Sequence, residues 1–466
     1  MEQKRKLGFW SIVLLTINSI IGTGIFLSPG GVAKQSGALA PFIYVCAAVF
    51  AIMLALTFAS ASKYTRESGA AYAYVRTAFG DNTGLYVGIT RFVSASIAWG
   101  VMATGAVGTA FQILGYQSDA ITFGMRTIGF IVLMVVLFII NVLGTKIFEW
   151  VSNLSTIGKC VALVFAILAG IVIAVKTGNH MGEITALVND AGEKVVPPMT
   201  TAGFVTALVA AFYAFTGFES VASGAGDMEK PEKNLPRAIP VAIGIVAAIY
   251  FGIILTAMLI DPVAMVTSSS VVVLADVFKS TVIRNVIVIG AFVSMFGINV
   301  ASSFHTPRLL EAMALRKQVP DVFAKRNSKD IPVNAFIITV LFAIVIPMAF
   351  SYDMKGIMII STIARFVQFV LVPVAVIMFF YGKTKNPTLE GAKKNFATDV
   401  VVSVISLILT ALLLFKFDWK GSFSTTAETG TSLNMFAIVA MLIGYVIIPV
   451  LVYFYAKAHT DKKIAQ

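Results

Sequence analysis

The sequence predicts an all-α membrane protein, and three observations carry that prediction. Its composition is too apolar for water: 58% of 466 residues are hydrophobic and 12% are charged, against roughly 25% charged in an ordinary soluble protein. Apolar runs of about 20 residues recur from end to end, each long enough at 1.5 Å per residue to cross a hydrocarbon core about 30 Å thick. The charged residues lie mainly in the short segments between those runs. With lipid as the outer solvent, such a chain needs little polar cover.

Twelve spans are expected, near 8–34, 41–64, 84–114, 121–146, 153–176, 202–225, 237–260, 283–305, 332–350, 356–381, 399–416 and 432–456. An even number puts both termini on one side. The formal charge of +12 would suit a nucleic-acid partner if it formed one patch. Instead the basic residues collect in alternate connections, as in Lys4, Arg5 and Lys6, or Arg316, Lys317, Lys325, Arg326 and Lys329. By the positive-inside rule those segments and both termini are cytoplasmic, and no nucleic-acid role is expected. The other side keeps few cations, among them Lys34, Arg126, Lys176, Lys355 and Lys420.

The first run is expected to stay as an uncleaved span. It contains Asn18, Gly22 and Gly24, lacks a small-x-small cleavage site, and is followed by further spans. Cys46 and Cys160 both fall inside apolar runs and form no disulfide framework.

Two spans carry an interruption. The first reads Asn18-Ser-Ile-Ile-Gly-Thr-Gly-Ile-Phe26, the sixth Phe212-Tyr-Ala-Phe-Thr-Gly-Phe-Glu-Ser220. Glycine within a membrane helix can simply allow close packing. Two such sites at the start of corresponding halves, spans 1–5 and 6–10, are instead the mark of a midplane binding site. The long amphipathic connections at 62–82 and 308–330 also occupy matching places, after spans 2 and 8. An odd number of spans per half would invert one half relative to the other.

An unwound turn frees N–H and C=O groups that hydrocarbon cannot satisfy, so they face a cavity or a ligand. The N–H groups that start the outer half-helix suit a carboxylate. Carbonyls that end the inner half suit an ammonium. Together they fit the zwitterion of an α-amino acid.

The residues at these breaks resemble the amino acid–polyamine–organocation permeases. Gly22-Thr23-Gly24-Ile25-Phe26 is similar to the family's first-span turn, and Phe215-Thr216-Gly217-Phe218-Glu219 to its sixth-span segment. Ser68-Gly69-Ala70-Ala71-Tyr72, Glu229-Lys230-Pro231 with Asn234-Leu235-Pro236-Arg237, and Thr306-Pro307-Arg308 with Val319-Pro320 follow in the family's order. The resemblance implies a LeuT-like 5+5 inverted repeat in residues 1–381, with two additional spans and a short tail in 382–466. It implies a carboxylate at the N–H groups of Thr23 and Gly24, and an ammonium at the carbonyls of Ile20, Tyr213 and Thr216. Tyr213, Phe215 and Phe218 would form gates or walls, or else pack plainly against lipid or core, and Trp99 would either line the wall supplied by span 3 or pack behind it.

Ionisable residues inside spans are functional candidates by default. Lys159 falls near the start of span 5, where it either snorkels to the surface or, as the resemblance implies, occupies the place of a sodium ion and joins span 5 to the span 1 break and span 8. Sodium-independent transport follows from the second reading. Glu219 is a proton carrier or gate, or else a structural carboxyl holding its loop. Arg91 is expected to snorkel from near the start of span 3, while Arg365 needs a partner, either a structural ion pair or an acidic substrate.

The function expected is secondary active transport of amino acids across the cell membrane, by proton symport and alternating access, without sodium or any cofactor. An amino acid exchanger or a polyamine transporter are the alternatives. A channel would show rings of like polar residues, and a sensor would carry a signalling appendage. An enzyme is not expected: His180, His305 and His459 fall in a loop, a helix end and the tail, unlike a metal cluster. The sequence also lacks a Gly-rich phosphate loop followed by Lys-Ser/Thr.

Overall fold

A helix satisfies its backbone polar groups within one segment, which is why apolar runs in lipid fold this way. The computed structural model describes residues 6–116, 120–189, 191–268, 272–349, 354–416, 419, 423–427 and 430–464. The expected basic residues Lys4, Arg5 and Lys420 lie outside them, and no side-chain description extends to Lys355.

The first half comprises α1 (Phe9–Ile20), α2 (Gly24–Ser36), α3 (Ala40–Ala61), α4 (Ala71–Phe79), α5 (Asp81–Ile113), α6 (Phe123–Val142) and α7 (Thr145–Thr177). After the short α8 (Glu183–Ala186) come α9 (Thr201–Tyr213), α10 (Phe218–Val221), α11 (Pro231–Ile260), α12 (Pro262–Thr267), α13 (Val273–Asp276), α14 (Thr281–Leu315), α15 (Val333–Ala349), α16 (Met354–Tyr381) and α17 (Val402–Lys416). A hairpin pairing Ser424–Ala427 antiparallel with Gly430–Leu433 precedes the last helical stretch. Among the described residues, eight helices are long and apolar enough to cross a membrane, and four shorter apolar helices accompany them. The protein is a multi-pass membrane protein.

Helix starts follow local chemistry. The Thr122 and Thr200 hydroxyls accept from the N–H groups of Met125 and Gly203, closing the first turns of α6 and α9. Within the bundle α5 is buried over most of its length, whereas α6 and α7 expose Ile128, Val132, Val161 and Leu168 as a surface for lipid. Packing between helices in lipid depends on close contact rather than on expelling water. The α7–α14 crossing shows this, since a Cβ added at Gly290 would lie 2.4 Å from the Ala162 Cβ.

Two helices differ from their expected extents. The sequence places span 5 at 153–176, but α7 starts at Thr145, so Lys159 lies about four turns inside it and does not reach the surface. The hydropathy ends span 8 near 305, but α14 runs on to Leu315 through Pro307. The extension is held by charge: the Arg308 guanidinium pairs with Asp227, and its carbon sits 3.7 Å from the centroid of the Phe304 ring. Around it, Arg326 joins Asp227 at 2.9 Å and Glu311, while Glu67 takes Arg76 at 2.6 Å and also Arg316. Apolar periodicity does not register such a paired, buried arginine, so the sequence places the helix end too early.

Candidate functional site

Both expected interruptions are present, and the chain brings them together. Between α1 and α2, residues 21–23 leave the helical path. Between α9 and α10, residues 214–217 form turns, with Gly217 at φ +124°. Glycine is needed there on two counts: its φ is one that L side chains avoid, and an added Cβ would lie 1.9 Å from the Ser19 carbonyl oxygen. In the reverse direction, a Cβ on Gly24 would lie 2.7 Å from the Ala214 Cα. The two unwound turns are thus packed backbone against backbone.

Tyr250 of α11 fastens them. Its buried hydroxyl lies 3.0 Å from the Ala214 carbonyl and 3.4 Å from the Ile20 carbonyl, so one donor serves both breaks. The Phe215 ring packs on Tyr250 with centroids 4.9 Å apart. On the opposite side Lys159, fully buried, donates to the carbonyls of Ile21 at 2.5 Å and of Asn18 and Ser294 at 3.3 Å. The ammonium thus caps the C-terminal end of α1, where unpaired carbonyls and the helix dipole favour a cation. The Ser294 hydroxyl adds a bond to Ile21 O at 3.2 Å.

A cavity opens beside the breaks, lined by Ile20, Thr23, Gly24, Tyr213, Thr216 and neighbouring residues. Its volume is about 40 Å³, room for a few waters. Among the N–H groups that open α2, that of Phe26 donates to the Thr23 carbonyl at 3.1 Å, and the earlier ones lack the acceptor four residues back that an inner turn would supply. Thr23 makes no side-chain cap to them. The Tyr213 carbonyl already accepts from the Thr216 N–H at 3.2 Å and its hydroxyl at 2.8 Å.

The charged wall of this cavity is the part that sequence reasoning did not assemble. Arg91 is buried and donates to Glu219 Oε1 at 3.2 Å, to the Ser220 hydroxyl, and to Ser94 at 3.4 Å. It does not snorkel, because its carboxylate partner lies inside the bundle. Arg365 bonds the Thr216 hydroxyl, lies 3.6 Å from Glu219 Oε1 through Nε, and places its guanidinium carbon 5.6 Å from the Tyr213 ring centroid. Glu219 Oε2 accepts the Gly217 N–H at 2.7 Å. One carboxylate therefore serves two guanidiniums and a backbone donor.

Of the residues expected at the site, Ile20, Thr23, Gly24, Tyr213 and Thr216 line the cavity. Glu219 stands behind it, joined to the lining residues Arg91 and Arg365. Lys159 borders the α1 break but does not line the cavity. Trp99, Phe215 and Phe218 do not line it either. On α5 the lining residues are Arg91, Ala95, Ala98 and Met102, steps of three or four that form one stripe. Trp99 is one residue round from that stripe and stacks edge-on to Phe336, centroids 5.8 Å apart. Phe218 packs on Phe58, 5.9 Å away, within the core.

His305 was expected at a helix end, yet it lies within α14 and lines the cavity with Ser302, because the helix continues past it. Tyr250 was missed as well. A tyrosine within an otherwise apolar run is the signal that would have found it, since a buried phenol finds a hydrogen-bond partner.

Two broken helices facing a polar cavity inside an apolar bundle make a candidate solute site in a membrane protein. Comparison with known proteins agrees: residues 7–450 match the family model described as "Amino acid permease". An uncharacterized transporter of Mycobacterium tuberculosis is 37% identical over 458 residues, covering 96% of this chain and 94% of that protein. A serine/threonine exchanger of Bacillus subtilis is 28% identical over 330 residues, 70% and 71% of the two chains. A branched-chain amino acid permease of Lactococcus lactis is 25% identical over 364 residues, 72% and 74%. The chain belongs to the amino acid permease family.

Proposed function

We propose that this protein is a sodium-independent secondary active transporter of amino acids that works by alternating access and couples uptake to protons. The observation that carries the proposal is the packing of the two unwound turns against each other beside a polar cavity. In this reading the α-carboxylate docks on the N–H groups of Thr23 and Gly24, and the α-ammonium on the carbonyls of Ile20, Tyr213 and Thr216. A carbonyl has two lone pairs: Ile20 O takes the long Tyr250 bond and keeps one for a ligand, whereas Tyr213 O takes two bonds from Thr216, so an ammonium there displaces one of them. Lys159 stands in place of a coupling cation and steadies the end of α1. Glu219, tied to both guanidiniums, is the candidate coupling or gating carboxyl. Alternating access would open this small cavity to each side of the membrane in turn.

The architecture that goes with this reading is twelve spans in the cell membrane, both termini cytoplasmic. Residues 1–381 form a LeuT-like 5+5 inverted repeat, and 382–466 contribute two further spans. The test is uptake of radiolabelled amino acids into proteoliposomes, with and without an inward proton gradient, in sodium or potassium buffer at clamped potential. Concentrative, saturable uptake driven by the proton gradient in both buffers is the expected result. Stimulation by sodium at fixed potential would overturn the role given to Lys159.

Obligatory exchange is a second reading, favoured by the similarity to the serine/threonine exchanger. It predicts uptake only into vesicles preloaded with amino acid.

A further inference from the structure

The charges around the cavity do not balance. Among its described lining residues Arg91 and Arg365 are cationic, and no lining residue is acidic. The neighbouring carboxylate, Glu219, has both oxygens engaged: Oε2 takes the Gly217 N–H and Oε1 lies nearer to Arg91, at 3.2 Å, than to Arg365, at 3.6 Å. Arg365 is nine-tenths buried, and its Nε has no hydrogen-bond acceptor among the described residues. Its one hydrogen bond within the described residues goes to a neutral oxygen, the Thr216 hydroxyl. A guanidinium presents five donors in a planar fork that matches a carboxylate. This one is mostly unused, and it borders the space where a solute would lie.

A zwitterion with a neutral side chain brings no net charge and leaves that excess in place. A cationic side chain adds to it. A side-chain carboxylate cancels it and supplies the acceptors that the fork lacks. We propose, building on the transport reading above, that the substrates are acidic amino acids, with the side-chain carboxylate held by Arg365 and the local field reinforced by Arg91. The backbone groups of the α1–α2 break keep their role towards the α-carboxylate, so the two acidic groups of the substrate are read by different parts of the site. Arg365 is then the residue that determines specificity, and Glu219 positions both guanidiniums while offsetting only one of their two charges.

The test uses the full-length protein in proteoliposomes, assayed with an inward proton gradient and also with amino acid preloaded inside. L-Glutamate and L-aspartate are compared with their amides, L-glutamine and L-asparagine, and with L-serine, L-leucine and L-lysine. The acids should exceed their amides in kcat/KM by about 100-fold, the scale set by leaving a buried charge unpaired. Arg365→Gln should bring the acid-to-amide ratio close to one, and Arg365→Lys, which keeps the charge but not the fork, should retain part of it. If Arg365→Gln does not fold, the wild-type ratio and the lysine variant still decide. Transport of neutral amino acids with no competition by glutamate or aspartate would overturn the acidic-substrate proposal and leave the transport reading standing. Transport of none of the seven would count against both.

Discussion

Replacing Lys159 with methionine removes the ammonium and keeps most of the side-chain volume. In the structure that ammonium makes one short bond, to Ile21 O at 2.5 Å, and two longer ones at 3.3 Å to Asn18 and Ser294. A hydrogen bond from a charged donor is worth about 1.5–3 kcal/mol net, and an abandoned buried carbonyl costs about 1–3 kcal/mol. Taking the short bond at full value and the others at a fraction gives about 3 kcal/mol for the α1 break, or roughly 100-fold in rate. Removing a buried charge also lifts its desolvation cost, which offsets part of the loss in overall stability. Lys159→Met should therefore lose about 100-fold in amino acid uptake while unfolding within a few degrees of wild type. Proteoliposome flux and thermal unfolding in detergent, measured on the same preparation, give the two numbers. Uptake within threefold of wild type would refute the assignment, because the break would then hold its shape without the ammonium.

Three further substitutions probe the same geometry. Gly217→Ala places a Cβ 1.9 Å from a backbone oxygen at φ +124°, and neither side can yield cheaply, so transport should be abolished and the melting temperature should drop; normal flux would show that the breaks are not held together. Tyr250→Phe removes the donor shared by Ala214 and Ile20, a loss of about 1–2 kcal/mol, visible as a roughly tenfold fall in uptake with the protein still folded. Glu219→Gln leaves Arg91 and Arg365 facing each other without a carboxylate, at a cost of about 3–5 kcal/mol. Uptake should fall steeply and lose its dependence on external pH, and an unchanged rate and pH profile would remove Glu219 from coupling.

What the sequence determined by itself is local. Apolar runs have to become helices in lipid because nothing else satisfies the backbone there. Gly22, Gly24 and Gly217 mark places where a helix can open, so the two interruptions are legible from a few consecutive residues. A match across residues 7–450 likewise needs no coordinates. Helix ends proved harder where charge, not hydropathy, sets them. Arg308 inside α14 is the example, since its partner Asp227 lies 81 residues away.

Only the tertiary structure decided what surrounds the breaks. Arg91 reaches Glu219 across 128 residues of sequence and Arg365 reaches Thr216 across 149, and no spacing rule links positions that far apart. The turn of α5 that presents Ala98 and Met102 to the cavity also carries Trp99 to Phe336, a matter of about 100° of helical phase that composition cannot resolve. The charge balance of the site is likewise a property of the assembled helices. It depends on which side chains share one small, enclosed space, where a single under-paired guanidinium matters more than the net charge of +12 spread over the whole chain.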